Sequence, residues 1–182
     1  MKKTIYISGP ISDNETGLPL DGWQREFNDA DKMLRGMGFG VVNPVDIARE
    51  TEDEWRDLWG SPYNTVGLLS PEAKMAAEML KQGPTRATYI MACLQAMNTE
   101  VMAGRLHGMY VIGLDSDPIA KQRIYHSHGV QMELHMAKML GLPVFAQFYG
   151  GNETDLHLMP VKDGLRLCDG GKFGHEDWSG KL

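Results

Sequence analysis

The chain has 182 residues, 42% of them hydrophobic, and 18 Lys+Arg against 24 Asp+Glu give a formal net charge of -6. That length suits one domain with a proper core and is short for two, and the negative balance excludes an overall positive field that would gather a nucleic-acid polymer or an anionic lipid surface. The longest apolar runs, Met109 to Leu114 and Leu142 to Phe148, fall far below the roughly 20 residues a membrane span needs.

Thr4 to Ser8 is a β-rich run that stops at Gly9-Pro10, and Phe39 to Asn43 is a second that stops at Pro44. Between them Trp23, Phe27, Ala30, Leu34 and Met37 recur at helical spacing, with polar residues on the opposite face. Strand, helix and strand within about forty residues make a βαβ unit with parallel strands. Ser70-Pro71-Glu72 starts a helix that Gly83-Pro84 stops, and a further helix is expected from about Thr85 to Ala103. Met109 to Leu114 then reads as a strand, Val130 to Leu140 as a helix and Leu142 to Phe148 as a strand.

This alternation predicts an α/β fold: a doubly wound, open parallel sheet with helices on both faces. A single domain over 1–182 is expected, with a helical insertion at about 50–83 forming a lid or a dimer contact. Its Trp55 and Trp59 read as packing residues. An irregular tail at about 150–182 carries strand pieces at 156–161 and 165–168. Ser8-Gly9-Pro10 arrives before any signal-type apolar stretch develops, which reads as a cytoplasmic protein. Cys93 and Cys168 make neither a disulfide framework nor a Cys-x-x-Cys site and read as free thiols. The six histidines show no metal-binding spacing, and Gly36-x-Gly38-x-Gly40 ends a helix instead of opening one, so no metal and no cofactor are expected.

The chemistry concentrates in Ser127 to Pro143. On a helix, Val130, Leu134, Ala137 and Leu140 form an apolar stripe, and Glu133 falls on that side. A carboxylate against a core costs several kcal/mol unless it is paired or its pKa moves, so Glu133 is either a functional group or one satisfied by a cap or a basic neighbour. Ahead of it, Ser127-x-Gly129 offers an N-cap hydroxyl and free helix-end amides, a setting for an ordinary cap or for an anion. His126 and His128 flank it. Asp115 and Asp117, after the third strand, lie where ligands bind in open α/β sheets or form a simple Asp-Ser-Asp-Pro turn.

Together, Tyr6-Ile7-Ser8-Gly9-Pro10-Ile11, Val42-Asn43-Pro44, Ser127-x-Gly129-x-x-x-Glu133, Ala137 and Leu140-Gly141-Leu142-Pro143 resemble the nucleoside 2-deoxyribosyltransferase-like superfamily. Its small bacterial and phage-type DUF4406 group and the 2′-deoxynucleoside 5′-phosphate N-hydrolases are the nearest in pattern. The resemblance covers about 2–44 and 107–148. It implies that Glu133 is the nucleophile at the anomeric carbon, and that Ser127, where the nucleoside transferases carry Asp, receives a 5′-phosphate with Gly129. A carboxylate there would repel the phosphate that a hydroxyl and helix-end amides attract.

The resemblance further implies that Ser8, Gly9 and Pro10 help hold the phosphate, that Ile11 belongs to the substrate-binding set, and that Tyr6 and Asn43 shape the nucleobase side. The hydrolases follow their first strand with Ile-Arg, whereas Ile11 is followed by Ser12, so cationic help is expected from Arg25, Arg123 or a second subunit. For the helix acid that orients the leaving base, Glu100 and Asn98 are the nearest candidates. The expected activity is cleavage of the N-glycosidic bond of a (deoxy)nucleoside 5′-monophosphate, by hydrolysis or base transfer. The alternatives are a nucleotide-binding protein without turnover, such as a sensor or sequestering protein, and a glycohydrolase of a larger nucleotide such as NAD. A homodimer or higher even oligomer is expected, with the insertion near the interface or over the pocket.

Overall fold

Strands and helices alternate because apolar runs with period two give way repeatedly to stripes with period 3.6. The computed structural model describes residues 2–12, 19–60, 71–113, 123–124, 126–149 and 156–160. In chain order these form β1 (Thr4–Ser8), α1 (Trp23–Gly36), β2 (Gly40–Val42), α2 (Pro44–Gly60), α3 (Pro71–Gln82), α4 (Arg86–Met102), β3 (Leu106–Val111), α5 (His128–Met139), β4 (Val144–Tyr149) and β5 (Leu156–Pro160). The sheet order is β2-β1-β3-β4-β5. The first four strands are parallel, and β5 runs antiparallel to β4.

The expected doubly wound α/β fold is therefore present, with one correction at its edge. Only residues 150–155 separate β4 from β5, too few for the crossover of a dozen or more residues that a parallel return requires, so the chain turns back instead. The strand piece expected at 165–168 lies outside the described residues, as do Cys168, Asp115 and Asp117.

β1 is buried on both faces, as an interior parallel strand must be. Ile5 and Ile7 pack with Phe27, Ala30 and Leu34 of α1. Tyr6 points the other way, into a cluster with Cys93 and Met97 of α4 and Val130, Leu134 and Ala137 of α5. Helices thus cover both faces. Ser8, two residues beyond Tyr6, shares Tyr6's face by strand periodicity. Gly9, next in line, has no room for a side chain, since a Cβ there would press on the Phe27 ring at 3.1 Å and on Ile112 at 3.3 Å.

The expected insertion boundary is displaced. Glu50 is not the start of an insertion; it lies inside α2, which begins directly after β2. Asn43 caps this helix: its Oδ1 accepts the Val45 N–H at 3.0 Å and its carbonyl accepts from Asp46 and Ile47. Pro44, lacking an N–H, suits the first helical position. Trp55 Nε1 donates to the Met79 carbonyl at 3.1 Å, which ties α2 to α3, and the Trp55 and Trp59 rings lie 5.9 Å apart. These tryptophans are packing residues. α4 matches its expected span to within one residue at each end, with Thr85 accepting the Thr88 N–H as N-cap. No helix among the described residues is long and apolar enough to cross a membrane.

Candidate active site

Leaving β1, the chain crosses first to β2 on one side and then to β3 on the other, and the crevice beyond the carboxyl ends of strands at such a switch point is where open α/β sheets bind ligands. A cavity of about 420 Å³ lies there, within the size range of small-molecule sites. Gly9 and Ile11 after β1 and Trp23 and Gln24 at the head of α1 close one side. Pro44, Ala48 and Glu52 of α2 face Arg86, Tyr89, Ile90 and Cys93 of α4, and Ser127, Gly129, Val130 and Glu133 of α5 complete the wall.

Burial grades each helix from floor to mouth. Along α2, Pro44 is buried, Ala48 half-buried and Glu52 exposed; along α4, Cys93 is buried, Tyr89 and Ile90 half-buried and Arg86 exposed. Spacings of three or four residues put each set on one helical stripe.

Glu133 forms part of the floor and is 7% exposed. Tyr6 Oη donates to its Oε1 at 2.7 Å and Ser8 Oγ donates to its Oε2 at 2.5 Å. The two donors come from alternate residues of β1, so one strand face holds both oxygens of one carboxylate. Burial pushes the Glu133 carboxyl up to about 7, while the Ser8 and Tyr6 hydroxyls pull it down. Burial, followed by the nearby Glu133, raises the Tyr6 phenol well above its ordinary range and lifts the Cys93 thiol to about 12. Both therefore stay protonated at neutral pH. Among the described residues no cation is paired with Glu133. The expectation of a basic partner is not met; hydroxyls satisfy it.

Ser127 is the N-cap of α5, its buried Oγ accepting the Val130 N–H at 3.5 Å. The cap leaves the hydroxyl hydrogen available to a ligand, and α5's first turn adds amides that have no partner within the helix. A Cβ on Gly129 would meet Ile90, its Cγ1 at 3.8 Å and its Cδ1 at 4.0 Å, so α5 begins against α4 one turn below Arg86. Arg86 brings a guanidinium to this end of the cavity mouth.

Several expected site residues are placed elsewhere. Tyr6 and Ser8 are 0% exposed and engaged with Glu133, so neither touches a nucleobase or a phosphate in this arrangement. Asn43 is buried as the cap of α2. With Glu100 it lines a separate groove between α2 and α4. Glu100 pairs with Arg105 at 2.7 Å, which holds its carboxyl below the usual range, and Asn98 is exposed. Both sit five or more residues past Cys93 along α4, about 8 to 10 Å further from the mouth at ~1.5 Å per residue. Pro10 is half-buried and does not line the cavity. Arg25 is exposed beside Asp29 and Arg123 is exposed; neither lines the cavity, nor do His126 and His128.

Arg86, Tyr89, Glu52 and Cys93 were not expected here. The 86–89–90–93 spacing was available as a helical stripe, but nothing in it says that the stripe faces a cavity. Comparison with protein-family models, curated proteins and solved structures finds no match to this chain.

Proposed function

We propose that the protein cleaves the N-glycosidic bond of nucleoside 5′-monophosphates, with Glu133 as the nucleophile. The observation that carries this reading is a single buried carboxylate, held at both oxygens by neutral hydroxyls, on the floor of a nucleotide-sized cavity. With no cation paired with it among the described residues, the ionised form is destabilised by burial and keeps its reactivity. Each Glu133 oxygen accepts one hydrogen bond and retains a lone pair for attack.

In the proposed reaction a Glu133 oxygen attacks C1′, the C1′–N bond breaks, and its electron pair leaves with the base. A glycosyl ester results, as in retaining glycoside hydrolysis. Water attacking C1′ gives the free sugar phosphate, and a second base gives a new nucleotide; in either case the proton lost by the incoming nucleophile balances the one taken up by the departed base. Either restores Glu133. Tyr6 and Ser8 hold the carboxylate in place through their donated hydrogen bonds.

Ser127, the first amides of α5 and Arg86 form the phosphate end. Binding energy from this non-reacting group aligns the sugar over Glu133. Incubation with a panel of ribo- and deoxyribonucleotides followed by chromatography tests the reading: base release that disappears in Glu133→Gln supports it. Tight binding without release assigns the chain to the nucleotide-binding proteins without turnover.

A further inference from the structure

At the mouth of the cavity Tyr89 Oη donates to Glu52 Oε1 at 3.0 Å. The pair bridges α4 and α2, and both residues line the same cavity as Glu133. We propose that Glu52 and Tyr89 read the nucleobase, and that they select bases carrying an exocyclic amino group. The proposal rests on the reading of the cavity as a nucleotide site and adds to it which nucleotides enter.

The first support is chemical. A carboxylate is acceptor-only, and the Tyr89 hydrogen occupies one of its oxygens, leaving Oε2 and the phenol's lone pairs as a row of acceptors. Burial, then the contact with Glu52, raises the Tyr89 phenol to about 12, so it keeps its hydrogen. Such a row pairs with N–H donors and is unfavourable beside a carbonyl oxygen. Cytosine, adenine and guanine offer an amino group; uracil and hypoxanthine carry a carbonyl or a hydrogen at the corresponding position.

The second support is the wall of the cavity: Trp23, Ala48 and Ile90 are half-buried and present no charge, which suits the flat faces of a base.

The test uses equilibrium binding by calorimetry and base release by chromatography, on the full-length wild type and on Glu52→Gln. The probes are two pairs that differ at the amino position, dCMP with dUMP and dGMP with dIMP. Glutamine keeps the size of Glu52 but offers a donor as well as an acceptor. The wild type is expected to favour the amino-bearing member of each pair at least tenfold, and Glu52→Gln to bring the ratio within threefold. Equal affinities in the wild type, or a preference that survives Glu52→Gln, overturn the proposal. Base release without discrimination overturns it while leaving the glycosidase reading intact. Discrimination in binding without release upholds it and removes the glycosidase. Failure of all four nucleotides to bind overturns both.

Discussion

Tyr6 and Glu133 are separated by 127 positions in the chain and by 2.7 Å between phenol and carboxylate oxygens. An interior strand of the sheet thereby fixes the orientation of a side chain delivered by a helix on its face. Glu133→Gln retains the size and the acceptor oxygen, and the Ser8 hydroxyl can turn to accept from the new amide. The fold and nucleotide affinity should survive while base release falls by about a thousandfold or more. Release within tenfold of wild type, measured by chromatography at equal protein concentration, removes Glu133 from the reaction.

The rate should follow ionisation of the same group. With its carboxyl at about 7, kcat/KM is expected to rise with pH through that value and then level. Tyr6→Phe and Ser8→Ala each delete a hydrogen bond to the charged form, so each should move the midpoint to higher pH by about one unit. Midpoints unchanged in both variants would show that the ionisation seen in the rate belongs to another group.

Stability should change in the opposite direction. The folded-state pKa is raised from 4.5 to about 7, so the native chain binds more protons than the unfolded chain between those values. This contribution is full below about pH 4.5 and is lost as pH rises through about 7, on the order of 3 kcal/mol in all. Urea unfolding of the wild type and of Glu133→Gln across pH 4 to 8 measures it. The difference between the two should tilt towards the variant as pH rises, and a constant difference contradicts the assignment.

Ser127→Asp separates capping from phosphate binding, because Asp is as good an N-cap as Ser. The helix should remain, while like-charge repulsion of about 1–4 kcal/mol should suppress nucleotide turnover. Nucleosides should be spared. Arg86→Ala should raise KM for nucleotides by about tenfold and leave nucleosides unaffected. If nucleosides are already the better substrates of the wild type, the phosphate assignment at Ser127 is wrong.

Assembly is the remaining proposal. Leu58 of α2, Met75 of α3, Met91 and Met102 of α4, and Met132 and Met139 of α5 are exposed, and a second copy of the chain would cover part of this apolar surface. Light scattering at micromolar concentration should give at least twice the 20.3 kDa chain mass. A monomer fully active on dilution would contradict it.

Legibility followed the range of the interactions. Local signals were sufficient for β1, for the span of α4, and for Ser127 as the start of α5, since caps and apolar periods act within a few residues. The unusual placement of Glu133 also showed in its helical phase. What held it did not, because Tyr6 and Ser8 reach it only through the pairing of sheet and helix over more than a hundred positions. Asn43-Pro44 reads equally as the end of a strand and as the start of a helix; it is both, and reading only the first hid α2 and with it Glu52. Arg86 and Tyr89 were hidden for the same reason, since their stripe acquires meaning only once α2 stands opposite.

The antiparallel return of β5 has a bearing on how the chain survives outside its folded state. Its partner β4 reads Val-Phe-Ala-Gln-Phe-Tyr, six residues without charge or proline, the kind of segment that templates intermolecular pairing when its hydrogen-bonding edge is left open. β5 occupies that edge, and the opposite border of the sheet is the three-residue β2, too short to recruit much. Shortening the chain before Leu156 would uncover β4 at a sheet border, and the expected result is a protein that precipitates on concentration although every residue around Glu133 is still present.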